Sequence, residues 1–481
     1  MSPEPASPFR SARGWALLGV CVAAAVGLRL ALVGAGPDTE SDAYAHHVLA
    51  RRVILEPTNP QVHWVWLPLF HWLSALVIRA GGAMDGLRIG NALLLALPPI
   101  LVTMQVLRER ERRPTHGNDA AWPFVPWLAG ALVALHPWVT TIGATAQNEP
   151  LFLVILACLS FALARGARTL AAALLVPLVL LRYEGWAVLL GLGIAALAPG
   201  RTRLYGERWF RGAVITLAPA GLAILAWSYV RMRSGEAPFA YLRDTHQFVQ
   251  DARHDHLTFW EALGKLPYYP AYLPYKSFGV PVLLALVGLG PMLRVLGPAF
   301  LVPYLSCLLF VTATWMSGGQ LGLLRHFVSS VPLFATAIAF GVERITARTT
   351  DRRVPLAVAL LALVLEARHL RDSFLHERRV VASRWPDRSA VVEAVRALPP
   401  GSRVVCDEPT VEILAGLPIE GTKRWWSTDP RFEGWVRDYA REGTVWLAIV
   451  RDRLANRDAF GEPVVTSAGG RYALFRVEGP R

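Results

Sequence analysis

Apolar residues in this chain are gathered into long runs and seldom alternate with polar ones. The runs fall at roughly 14–35, 87–107, 122–142, 150–164, 168–182, 186–198, 211–230, 278–296, 298–316, 325–345 and 354–368. Several approach the roughly 20 residues that a helix needs to cross bilayer hydrocarbon. Lipid offers no partner to a bare peptide group, so such runs must be helical. The pattern predicts an α-helical polytopic membrane protein with about eleven transmembrane helices, nine to thirteen if short runs are counted differently. The two runs flanking Arg182–Gly185 are short enough for shallow or tilted helices.

The polar residues between the runs orient the chain. Arg108, Arg110, Arg112 and Arg113 fall on one side, as do Arg165 and Arg168; Arg201, Arg203, Arg208 and Arg211; and Arg344, Arg348, Arg352 and Arg353. The short loops on the other side, 143–149 and 317–324, hold no Lys or Arg. By the positive-inside rule the N-terminus is cytoplasmic. The first run follows Arg10 and Arg13 and exceeds the apolar core of a signal peptide, so it reads as a retained anchor.

Three larger segments then lie outside. The first, 36–86, contains a predicted helix over Ser41–Leu55, with Thr39 and Asp42 spaced like a capping box. It also holds the Trp-rich stretch 64–80; spanning there would turn Arg108–Arg113 outward, so it reads as a helix lying in the interface. The second segment is 231–277, rich in Tyr, His and Pro. The third begins at 369, where long apolar runs stop. An amphipathic helix over Asp387–Leu398, strands at Arg403–Cys406, Thr444–Val450 and Arg471–Val477, and a helix over Arg431–Glu442 predict a small α/β domain. The expected division is a membrane domain, 1–368, and an extracytoplasmic domain, 369–481.

Composition supports this picture. The chain is 53% apolar and 18% charged, where a soluble globule carries about 25% charged residues. The net charge of +13 is carried almost wholly by Arg, in clusters at the ends of apolar runs, with no basic stripe interleaved with aromatics. Nucleic acid is therefore not an expected partner. Cys21, Cys158, Cys307 and Cys406 show no metal-ligand spacing.

The chemistry-bearing residues lie outside. Asp38, Glu40 and Asp42 stand within five residues where the first span leaves the membrane, more acids than capping and dipole complement require. Glu149 precedes Pro150 at a helix start. Arg182 and Glu184 lie between two apolar runs, where ionisable groups need a partner or water, and neutralising each other is one role for them. Arg325 and His326 end a span; an Arg fork suits phosphate, or anchors the helix in the interface. Arg243, Asp244, His246, Asp251, His254, Asp255 and His256 offer donors for a divalent metal, or simply a wet loop. No motif calls for a metal or other cofactor.

The order of these features resembles the GT-C glycosyltransferases that use polyprenyl-phosphate sugars, in particular the protein O-mannosyltransferase and aminoarabinose-transferase group. The resemblance rests on Asp42–Arg51 after the acidic turn, on Trp66–Leu76, on Asn148-Glu149-Pro150-Leu151-Phe152, on Leu181–Trp186, and on Arg325 through Pro332. It covers most of 14–345, and each motif alone is loose. The second-loop acid is Glu where Asp is frequent. In that group the first-loop acid often stands four residues before an aromatic, which points to Glu40, while the strongest local match points to Asp42, two before Tyr44.

The resemblance implies transfer of one sugar, with inversion, from a polyprenyl-phosphate donor to an extracytoplasmic acceptor at a bacterial inner membrane. Asp42 would be the general base with Glu40 as the alternative. Arg325, with His326 and Arg182, would face the donor phosphate. Glu149 would orient sugar or acceptor hydroxyls, and Tyr44, His46 and Glu184 would serve the acceptor or the structure. A multi-pass transporter and a polysaccharide polymerase or ligase with a lipid-linked donor are the rival readings.

Overall fold

The computed structural model of the chain describes residues 12–479 except 113–122, 199–200, 254–257, 320, 348, 350, 352, 419–421, 425–426, 428–430 and 455–458. The first half runs α1 (Ala12–Gly34), α2 (Ser41–Leu55), α3 (Leu69–Arg79), α4 (Met84–Leu94), α5 (Leu97–Arg112), α6 (Val125–Leu135), α7 (Pro137–Gly143), α8 (Glu149–Arg165), α9 (Arg168–Leu181) and α10 (Glu184–Leu197). There follow α11 (Arg201–Tyr205), α12 (Trp209–Arg233), α13 (Ala240–Arg253), α14 (Phe259–Gly264), α15 (Leu273–Phe278), α16 (Val282–Val295), α17 (Pro298–Met316), α18 (Val331–Thr346) and α19 (Arg353–Arg396). The tail adds β1 (Arg403–Cys406), α20 (Pro409–Ala415), β2 (Thr422–Arg424), α21 (Phe432–Ala440), β3 (Val445–Val450), β4 (Val465–Thr466) and β5 (Tyr472–Val477).

Among the described residues, five helical stretches are long and apolar enough to cross a membrane: Ala12–Gly34, Met84–Arg112, Trp209–Arg233, Pro298–Met316 and Leu324–Thr346. The pair α6 and α7, bent by 49°, makes a sixth. The break falls at His136-Pro137, where the missing proline N–H and the extended His136 end α6. Four of the further runs form shorter helices, α8 with 17 residues and α9, α10 and α16 with 14 each, and the run 354–368 lies within α19. Helix α3 has 11 residues, about 16 Å at 1.5 Å per residue, against roughly 30 Å of hydrocarbon.

One apolar core joins α5, α6, α8–α10, α12 and α16–α18. Its tightest seam is between α16 and α18, where small residues let two backbones touch. A Cβ at Gly288 would lie 1.9 Å from the Ala337 carbonyl oxygen, and one at Gly341 2.0 Å from that of Leu284.

Helix α19 passes through the expected 368/369 boundary without a break, so the membrane part and the tail share one 44-residue helix. Its C-terminal turns present Val391, Val392 and Val395, all buried, to one face of the tail sheet. Helix α21 covers the other face with Phe432, Val436 and Ala440. The strand order is β2-β1-β3-β5-β4, with β1 parallel to β2 and β3, and β5 antiparallel to β3 and β4. Helix α20, absent from the sequence expectations, lays Ile413 and Leu414 against Ala43 and Tyr44 of α2. Arg51 of α2 donates to the Leu417 carbonyl at 2.9 Å. The tail is thus docked on the helix that carries Asp42.

Candidate functional site

The first-loop acids play different parts. The Asp38 carboxylate is buried. Its Oδ1 accepts the Glu40 N–H at 3.0 Å and its Oδ2 the Ala146 N–H at 2.7 Å, tying the first loop to the loop before α8. Arg88 of α4 lies 3.9 Å from Oδ2 and donates to the carbonyls of Gly36 and Ala144, both at 2.8 Å. Asn91, one turn on, donates to the carbonyls of Thr145 and Gln147 at 2.8 and 2.9 Å. Burial raises the Asp38 carboxyl to about 6, against the pull of Arg88 and the two N–H groups. Tyr44 is buried and donates to the Asp38 carbonyl at 3.1 Å. These residues build the site's frame.

The expected capping box does not form. Helix α2 starts at Ser41 with Glu40 as its N-cap, and no side chain caps it. Thr39 lies one position too early to reach the first-turn N–H groups; its hydroxyl donates to Glu377 of α19 at 3.5 Å. Glu40 and Asp42 are thereby free to face the interior of the site.

Both meet Arg325, in the short 3₁₀ segment ahead of α18. The guanidinium hydrogen-bonds Asp42 through Nη2, reaches Glu40 at 3.4 Å through Nη1, and stands 3.3 Å from Glu149 through Nε. Glu40 at the N-cap of α2, Asp42 in its first turn and Glu149 at the start of α8 thus converge on one cation. Burial pushes Glu40 up; Arg325 opposes it, but Asp38, Glu149 and Asp42 add to the rise. Burial would raise Asp42 too, but the charge and hydrogen bond of Arg325, with His46 and His326, hold its carboxyl below the ordinary range.

A second, inner cluster shares Glu149. Arg182 lies 2.6 Å from Glu149 and 2.7 Å from Glu184, and donates to Asn148 at 2.6 Å. His326 Nδ1 stands 2.8 Å from Arg182 and 3.4 Å from Glu184. Arg182 and His326, expected at a phosphate, therefore point into this inner cluster. Glu149 Oε1 is claimed by both arginines, while its Oε2 is buried without a hydrogen bond among the described residues.

Arg243 pairs with its neighbour Asp244 at 3.5 Å on the surface, and His254, Asp255 and His256 lie outside the described residues. Among the described residues no three His, Cys, Asp or Glu side chains are grouped to hold a metal ion. Arg88 and Asn91 were passed over in the sequence, although two polar residues inside an apolar run are a signal for buried partners. His63 and His71, buried beside His46, were also passed over.

The order of helices, with an α/β tail after the last apolar run, is that of a GT-C-like membrane fold, as two solved structures show. The structure of ArnT from Cupriavidus metallidurans bound to undecaprenyl phosphate superposes with a TM-score of 0.63, covering 98% of this chain and 100% of that one at 12% identity. The archaeal oligosaccharyltransferase AglB from Archaeoglobus fulgidus, in complex with an inhibitory peptide and a dolichol-phosphate, gives 0.53 over 92% of this chain and 70% of that one, also at 12% identity. At such identity the likeness establishes the fold. No protein-family model matches the chain, and no curated relative does.

Proposed function

We propose that this protein is a bacterial inner-membrane glycosyltransferase, with a cytoplasmic N-terminus and an extracytoplasmic tail, that moves one sugar from a polyprenyl-phosphate donor to an extracytoplasmic acceptor. The observation that carries the proposal is the convergence of Asp42, Glu40 and Glu149 on Arg325 within this fold. Two structures of the same fold hold undecaprenyl phosphate and a dolichol-phosphate, which supports a lipid-phosphate donor here.

Asp42 takes the proton of the acceptor hydroxyl as that oxygen attacks the anomeric carbon. The bond from that carbon to the phosphate oxygen breaks with inversion, and polyprenyl phosphate leaves. Arg325 holds the charge that develops on the leaving phosphate. A phosphate arriving there displaces Glu40, the most exposed of the three carboxylates around Arg325. Glu149 uses its free Oε2 to accept from a sugar or acceptor hydroxyl. The proton on Asp42 returns to water when the product leaves.

The test is mass analysis of envelope lipids, proteins and glycans from cells with and without the protein, then with Asp42→Asn at equal membrane level. One class of molecule loses a single sugar in the deletion, and Asp42→Asn reproduces that loss, with turnover down about 10²–10⁴-fold. An Asp42→Asn protein with full activity removes the base. Loss of a whole chain, instead of one sugar, makes the protein a polymerase or ligase; flux of substrate across vesicles without a new glycosidic bond makes it a transporter.

A further inference from the structure

Beside the carboxylate cluster lies a row of three buried histidines that the reaction above does not use. His46 sits one helical turn after Asp42 on α2, so the two share a face. Its Nδ1 is 2.8 Å from Nε2 of His71 on α3, and Nδ1 of His71 is 2.9 Å from Nδ1 of His63. His46, His71 and His63 are 3%, 0% and 2% exposed, which leaves water no part in either bond. Trp66 and Phe70 pack on His46, with centroids at 4.8 and 5.2 Å, and Trp72 and Trp227 on His63 at 5.7 and 5.3 Å.

A neutral imidazole carries one N–H and one lone pair. His71 uses both ring nitrogens, so it donates at one and accepts at the other. The chain therefore has two self-consistent proton patterns, and choosing the state of one ring chooses all three. The charges at the two ends favour the same pattern. Asp42 and Glu149 act on His46 more strongly than Arg325 and Arg182, which oppose them, and favour an N–H directed at them. Arg231, whose guanidinium lies over the Trp227 ring that His63 touches, acts on His63 and favours a bare nitrogen.

We propose, on the footing of the transferase reading above, that His63 and His71 are positioning residues that lock His46 with its proton on Nε2, so that it presents a donor to the carboxylate and acceptor-hydroxyl side of the site. Nε2–H of His71 then donates to Nδ1 of His46, and Nδ1–H of His63 donates to Nδ1 of His71. His46 holds Asp42, or the hydroxyl that Asp42 deprotonates, in line. Partners that orient a histidine in this way change activity by about 10–100-fold when removed.

Nitrogen-15 NMR of histidine-labelled full-length protein in lipid nanodiscs, assigned by single His→Gln substitutions, reads the three tautomers without any substrate. The expected pattern is Nε2–H for His46 and His71 and Nδ1–H for His63. In His71→Phe, product per cell by the mass assay falls about tenfold or more, while affinity for undecaprenyl phosphate stays within about twofold, because Arg325 is untouched. Nδ1–H on His46 in the unmodified protein overturns the proposal, as does a His71→Phe protein that forms product at the normal rate. If the tautomer pattern holds but the unmodified protein attaches no sugar, the transferase reading fails and the histidine lock stands.

Discussion

Two arginines lie within one network of acids, and they are built for different work. Arg182 is surrounded: its own side chain is 10% exposed, and its partners Glu149 and Glu184 are 5% and 6% exposed. With Asn148 and His326 completing its set, each face of the guanidinium meets a fixed protein group. Arg325 meets three carboxylates as well, but Glu40 and Asp42 are 44% and 36% exposed. Its pair with Glu149 is interior, but its pairs with Glu40 and Asp42 can be exchanged for a ligand's at small cost, since partly solvated ion pairs contribute little, whereas an interior pair that loses one member leaves an uncompensated charge. The inner arginine ties the starts of α8 and α10 together, and on the proposed reading the outer one faces the donor phosphate. Glu149 belongs to both and fixes the distance between them.

The largest effect that tests this division is on stability. Arg182→Leu leaves buried Glu184 with only His326 and buried Glu149 with only Arg325 among the described residues, and lowers stability by about 3–5 kcal/mol, read as a lower unfolding midpoint in detergent. A variant that unfolds normally and merely binds undecaprenyl phosphate more weakly would move Arg182 to the donor site and dissolve the contrast. Next comes Arg325→Ala, which slows transfer by about 10²–10³-fold with a much smaller change in unfolding midpoint than Arg182→Leu. Unchanged turnover and donor affinity would remove the phosphate role.

A smaller effect separates the two first-loop acids. A general base works ionised, so the rate falls as pH drops through its pKa. Asp42 is held low by Arg325, so with Asp42 as base the acid limb lies below the ordinary carboxylate range. Glu40 is pushed up by burial, so with Glu40 as base the limb lies above it. The smallest effect is that of Glu40→Gln, where turnover changes only a fewfold and the acid limb stays in place. A large loss there would exchange the roles of the two acids.

Much of this was legible in the chain. Helix α2 has the bounds that its pattern predicted, and strands β1, β3 and β5 form within a residue of the stretches expected for them. Asp42, Glu40, Glu149 and Arg325 were singled out because charge placed at the end of an apolar run needs a reason. The short segments α20, β2 and β4 carry too few residues to show a period, and they were missed. The continuity of α19 through the tail boundary was hidden as well, because a change in composition marks a change of surroundings and need not mark a break in the helix.

What the sequence determined by itself was a chain of membrane helices, Arg clusters at the ends of alternate apolar runs, and a set of acids with Arg325 at the opposite ends. Those are properties of local composition, since each run or cluster meets lipid or water on its own terms. Which groups touch was decided by the tertiary structure alone. Arg325 is 283 positions from Asp42, and nothing in either neighbourhood says that α18 will bring them together. The same holds for the division between Arg182 and Arg325, because the solvation that separates a structural ion pair from an exchangeable one depends on everything packed around it.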